Sequence, residues 1–142
     1  MTIKILAIDD DTATTELLTI LLQSHDFKIT AVNSGQEGIN LIKKTKPDII
    51  LLDLMMPDMD GWETCKKIRD FSNIPIIILS ALDTPGMVAS ALDTGADDYL
   101  IKPVSSNLLI AHIKNLTRRS TGQLYPSPSM MNPSKKAELG FS

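Results

Sequence analysis

Apolar residues gather in five short runs, at 3–8, 27–32, 49–52, 76–79 and 99–101, and each run is followed by a stretch with helical spacing. The intervening stretches cover 12–24, 35–44, 61–71, 85–94 and 106–119. In the first of them Leu17, Leu18, Leu21 and Leu22 form a stripe at i, i+1, i+4 and i+5, which predicts one buried helix face. Met87, Val88, Ala91 and Leu92 are core candidates by the same spacing. Ser34 with Glu37, and Asp60 with Glu63, carry the offset of a helix start. Gly95 marks a helix stop after the fourth helix. The runs 49–52 and 76–79 are wholly apolar, as central parallel strands are. The run 27–32 interleaves Lys28 and Thr30 and predicts an edge strand.

Strand–helix alternation this regular predicts an α/β fold with a parallel sheet covered on both faces. A doubly wound five-stranded parallel sheet in the order 2-1-3-4-5, a (βα)5 flavodoxin-like arrangement, accommodates every run; that order is a known template adopted here, not one the pattern dictates. Such sheets place their sites at the carboxyl ends of strands, where the order reverses between the first and third. Residues 1–119 read as one domain. Residues 120–142 hold three Pro, five Ser and no periodic apolar pattern, and read as a linker or disordered tail.

Composition narrows the picture. At 142 residues the chain can bury a core, and with 43% hydrophobic but only 4% aromatic residues that core must be aliphatic. A single cysteine, Cys65, allows no internal disulfide and suits a reducing cytoplasm. The N-terminal run turns acidic at once and reads as neither a signal peptide nor a membrane span. Through residue 119 there are 12 Lys and Arg against 16 Asp and Glu, so the body of the chain offers no nucleic-acid surface.

Candidate chemistry lies at the strand ends. Asp9 and Asp10 follow the first strand and Asp53 follows the third. In the proposed sheet these strands are neighbours, so three carboxylates converge and raise one another's pKa. A hard divalent cation resolves that conflict, and Mg2+ suits a site with few carboxylates and several waters. Ser80 ends the fourth strand and Lys102 the fifth, bringing a hydroxyl and a compact ammonium to the same crevice, both suited to phosphate oxygens. Taken singly, residues 9–11 also read as a solvated helix start, Asp53 and Ser80 as turn residues and Lys102 as a surface charge. Five such residues at four ends of one sheet point to a site.

The ordered set Ile8-Asp9-Asp10-Asp11, Leu52-Asp53-Leu54-Met55-Met56-Pro57-Asp58-Met59-Asp60-Gly61, Ile78-Leu79-Ser80-Ala81 and Gly95-Ala96-Asp97-Asp98-Tyr99-Leu100-Ile101-Lys102-Pro103 resembles the receiver domain of two-component response regulators, the CheY-like family, over about residues 3–119. The resemblance implies that Asp53 accepts a phosphoryl group from a sensor histidine kinase or phosphotransfer protein. It also implies that Asp10, Asp53 and the backbone carbonyl of Met55 bind Mg2+, with Asp9 acting mainly through water. Lys102 would pair with Asp53 and then with the phosphoryl group. Ser80 and Tyr99 would form the switch, Tyr99 turning into space that Ser80 vacates. A cis Lys102–Pro103 bond is implied as well. Such a domain is a switch and not an enzyme in the ordinary sense.

The sequence after the fourth strand, especially Gly95–Lys102 and Arg118-Arg119, resembles receivers of the winged-helix transcription-factor branch, whose members form homodimers through the fourth helix, fifth strand and fifth helix using charged pairs. At matching positions Val88, Leu108 and His112 lack the usual charge, although Asp97 and Asp98 remain. His112 reads as a packed or solvated histidine. Met55 and Leu82 stand where polar side chains orient the hydrolytic water in this family, which implies slow self-dephosphorylation. The output is either docking by the receiver alone or control of a longer DNA-binding regulator. A flavodoxin-like cofactor binder is a distant alternative, since the first loop is acidic and lacks a phosphate cradle. An aspartyl-intermediate phosphohydrolase commonly carries a second acid two residues after the nucleophile, where Met55 stands here.

Overall fold

The computed structural model describes residues 2–120, so the predicted tail at 120–142 falls, apart from Ser120, outside the described residues. Five strands alternate with five helices: β1 (Lys4–Ile8), α1 (Thr12–Gln23), β2 (Lys28–Val32), α2 (Gly35–Thr45), β3 (Ile49–Leu52), α3 (Gly61–Arg69), β4 (Ile76–Ser80), α4 (Pro85–Thr94), β5 (Asp98–Ile101) and α5 (Ser106–Ser120). All strand pairings are parallel, and the sheet runs β2-β1-β3-β4-β5. The expected architecture and the edge position of β2 are both present.

Strand alternation sorts the core into two layers. Ile5 and Ala7, Ile49 and Leu51, and Ile77 and Leu79 pack with Leu18 and Leu22 of α1 and with Leu109, Ile113 and Leu116 of α5. Their neighbours Leu6 and Ile8, Ile50 and Leu52, and Ile76 and Ile78 face the other way, against Ile39 and Ile42 of α2, Cys65 and Ile68 of α3, and Ala91 of α4. Each fully buried large aliphatic side chain contributes about 1.5–3 kcal/mol. β3 and β4 have no solvent face, which is why 49–52 and 76–79 read as unbroken apolar runs.

Two helix expectations need correction. On α1, Leu18 and Leu22 are buried together with Thr15, but Leu17 is 69% exposed and Leu21 is only half-buried. At 100° per residue only one strip of a helix can face the sheet, and here it passes through 15, 18 and 22. On α4 only Ala91 is buried; Met87 and Leu92 are exposed and Val88 is half-buried. This helix starts at Pro85 with no side-chain cap from Thr84. By contrast, Ser34 and Asp60 accept hydrogen bonds from the N–H groups of Glu37 and Glu63, as their spacing predicts. Gly95 ends α4 at φ 125°, a conformation that suits glycine.

Candidate functional site

Sheet pairing assembles the site. The N–H of Asp53 donates to the carbonyl of Ile8 at 3.0 Å, which sets the end of β3 beside the end of β1. The N–H of Lys102 donates to the carbonyl of Ser80 at 2.8 Å and aligns the ends of β5 and β4 in the same way. Carboxylate oxygens of Asp9, Asp10 and Asp53 consequently lie within 4.8 Å of one another. Asp9 and Asp53 are buried, at 4% and 8% exposed, while Asp10 faces solvent.

Electrostatics at Asp53 are adverse to charge. Burial, partly offset by the Lys102 ammonium, pushes its carboxyl above the usual 3.8; Asp9 adds to the rise, and hydrogen bonds from the backbone of Met55 and Leu54 oppose it. Three carboxylates thus face one nearby ammonium. Lys102 makes its direct ion pair with Asp9, Nζ to Oδ2 at 2.7 Å, where a pair with Asp53 was expected. Lys102 still acts on Asp53 through space, as the strongest influence that lowers its carboxyl.

Around the acids the backbone is tightly packed. Gly61, at the start of α3, leaves no room for a side chain: a Cβ there would lie 2.3 Å from the carbonyl oxygen of Asp53. Ser80 is fully buried, and its Oγ accepts a hydrogen bond from the N–H of Leu82 at 3.3 Å. The hydroxyl of Tyr99 donates to the carbonyl of that same Leu82 at 2.6 Å. Burial pushes the Tyr99 phenol up, so it remains a donor at neutral pH. The Lys102–Pro103 bond is cis, as the resemblance implies.

Three contacts lay beyond the sequence reading. Asn33, just past β2, donates from Nδ2 to the backbone carbonyl of Asp9 at 2.8 Å. The only sequence signal for it is a polar residue at a strand end on the correct side of the sheet. Asp97, just before β5, and Asp98, its first residue, have partners inside the chain. Arg69 Nη2 pairs with Asp97 at 2.9 Å and His112 Nδ1 contacts the carboxylate of Asp98. Distant pairing of this kind leaves no local pattern.

Comparison with known proteins agrees with the geometry. The chain is 36% identical to the transcriptional regulatory protein AfsQ1 of Streptomyces coelicolor over 144 aligned positions, covering 95% of this chain and 64% of that protein. It is also 36% identical to the DNA-binding response regulator MtrA of Mycobacterium tuberculosis, covering 82% of this chain and 51% of the relative. The chain therefore spans about half to two thirds of the length of these curated relatives. Among solved structures, a two-component response regulator from Clostridium difficile matches with a TM-score of 0.80 at 35% identity, over 84% of this chain and 98% of that one. The beryllofluoride-activated receiver domain of Klebsiella pneumoniae RstA matches with a TM-score of 0.78 at 31% identity, over 81% and 98%. The family model described as the response regulator receiver domain matches residues 5–114, from the first strand to well inside the last helix; the chain thus belongs to the response regulator receiver domains, phosphoacceptor switches rather than enzymes.

Proposed function

We propose that Asp53 is the phosphoacceptor of this receiver, that Asp9, Asp10, Asp53 and the Met55 carbonyl hold Mg2+, and that Ser80, Tyr99 and Lys102 convert phosphorylation into a change of shape. The convergence of three carboxylates at adjoining strand ends, with burial raising the Asp53 carboxyl, carries this reading. A donor set made of carboxylate oxygens in excess over nearby ammonium fits a hard divalent cation. Bound there, Mg2+ would neutralise charge on the phosphoryl oxygens.

The remaining chemistry belongs to the chain. A carboxylate oxygen of Asp53 attacks phosphorus in line with the bond to the donor, forming an acyl phosphate as the donor nitrogen leaves. The Lys102 ammonium moves onto a phosphoryl oxygen. Ser80 turns its hydroxyl to another, releasing the N–H of Leu82, and Tyr99 follows. The donor is a sensor histidine kinase or phosphotransfer protein. Exposed Leu17 and Ile20, on the helix that begins at the acidic loop, provide apolar surface for its docking.

Among the described residues no helix is long and apolar enough to cross a membrane. Membership of the receiver family supports a cytoplasmic location. Residues 1–119 act as the receiver. The output is either docking by the receiver alone or control of DNA binding in a longer regulator, which the relatives favour; the receiver does not touch DNA directly. Self-association through α4, β5 and α5 would use exposed Met87, Ile101 and Leu108, because Asp97 and Asp98 already have partners within the chain. The central test is intact-mass analysis after treatment with a small phosphodonor and Mg2+. One phosphoryl group should add to the native protein and none to Asp53→Asn; retention of the label in that variant would remove Asp53 from the role.

A further inference from the structure

We infer that Asn33 is a positioning residue for the cation site, holding the acidic loop after β1 in the shape that lets Asp9 and Asp10 act together. The inference rests on the reading of Asp9, Asp10 and Asp53 as the Mg2+ holders. Asn33 lies between β2 and α2, outside the acidic cluster itself. Its Nδ2 donates to the carbonyl of Asp9 at 2.8 Å and lies 3.4 Å from Oγ1 of Thr15, a residue only 5% exposed. Both partners are acceptors here, because the Thr15 hydroxyl spends its own proton on the carbonyl of Thr12 at 3.0 Å. The amide therefore presents its NH2 group inward, and a side chain without donors cannot replace it.

Asp9 is restrained on every side. Its N–H donates to the carbonyl of Val32 at 3.1 Å, and its Oδ1 accepts from the N–H of Asp11 at 3.0 Å. Its Oδ2 takes the Lys102 ammonium. The carbonyl of Asp9 is the first atom of the peptide that leads to Asp10, and Asn33 is the group that fixes that peptide. Without this bond Asp10, which is exposed, is held to the cluster only through its neighbours in the chain. Groups behind the ligands commonly set metal affinity by such orientation.

The test separates orientation from charge. Mg2+ is titrated into the full chain while amide NMR shifts are followed, for the native protein and for Asn33→Ala, Asn33→Gln, Asn33→Asp and Asp10→Ala. Asn33→Ala should bind Mg2+ about three- to tenfold more weakly, the range one hydrogen bond accounts for, and Asn33→Gln should recover part of that loss. Asn33→Asp adds a negative charge near the cation, which by charge alone would tighten binding, yet it turns an acceptor toward the Asp9 carbonyl. Weaker binding by Asn33→Asp supports positioning, and tighter binding overturns it. At saturating Mg2+ the phosphorylation rate of Asn33→Ala should return to the native value. Native Mg2+ affinity in Asn33→Ala would also overturn the inference, provided that Asp10→Ala binds none. Should Asp10→Ala bind normally, it is the placement of the cation site that fails instead.

Discussion

The ammonium of Lys102 lies 2.7 Å from Oδ2 of Asp9, so the last strand of the sheet reaches over two intervening strands to the first. The lysine is thus a built-in cation that competes for the carboxylate an incoming cation would want. Lys102→Ala should have two opposite effects. In EDTA the domain should lose about 1.5–3 kcal/mol, because a buried carboxylate loses a charged hydrogen bond. Mg2+ should then bind more tightly than to the native protein, although activation by beryllofluoride should fail to propagate. Chemical denaturation and Mg2+ titration measure the two, and weaker Mg2+ binding would show that the lysine does not compete.

Asp53 sets a pH dependence. Its folded-state carboxyl is raised above 3.8, chiefly by burial, so between 3.8 and that raised value the folded protein holds a proton that the unfolded chain has lost. Stability from this group is therefore present below 3.8 and is lost as pH rises through the folded-state value. Above that value the ionised Asp53 opposes folding. Asp53→Asn should then melt at a higher temperature than the native domain in EDTA, by roughly 4 °C for each kcal/mol relieved. It should also flatten the fall in stability across that window, and an unchanged melting temperature at pH 7 would contradict the expectation.

Lifetime of the acyl phosphate is expected to depend on Met55 and Leu82. Met55 is 60% exposed and Leu82 half-buried, and neither can hold a water in line with Asp53 and phosphorus. Met55→Asn or Leu82→Glu should shorten the lifetime, followed as decay of the phosphorylated form by intact mass. Equal decay in all three proteins would mean that these positions do not govern hydrolysis.

Self-association, where it occurs, should be insensitive to salt. Contacts through Ile101 and Leu108 would bury apolar surface at about 1.5–3 kcal/mol for each large side chain, without the screening that weakens ion pairs. Sedimentation of the beryllofluoride-activated chain at low and high salt should give the same dimer fraction, and the double variant Ile101→Lys, Leu108→Lys should be monomeric. A dimer that persists in the double variant would place the contact on another face.

The sheet was legible in the chain because β3 and β4 are buried on both sides and are apolar up to the closing Ser80, whereas β2 carries polar residues. Strand ends were equally legible, since Asp9, Asp53, Ser80 and Lys102 each follow or close an apolar run. Helix faces were less so. The pattern around Leu17 allows more than one strip to face the sheet, and only packing against β1 and β2 decides between them. Partners of Lys102, Asp97, Asp98 and Asn33 were illegible for a further reason. Each lies 14–93 residues away in sequence, and no local spacing encodes which of several carboxylates or carbonyls a donor will meet.

Helix α4 begins without a side-chain cap and buries one residue, where α2 and α3 bury four each. By burial it is the helix with least to lose when it detaches from the body. Leu82, whose N–H and carbonyl are engaged by Ser80 and Tyr99, lies three residues before Pro85, the first residue of that helix. Any rearrangement at the acidic crevice that frees Leu82 is delivered first to the element whose native state is most easily exchanged for another. Rigidity in the sheet and looseness in one helix are in this sense a single design. On the proposed reading, the sheet would keep the chemistry in place while α4 supplied the alternative state that a signal selects.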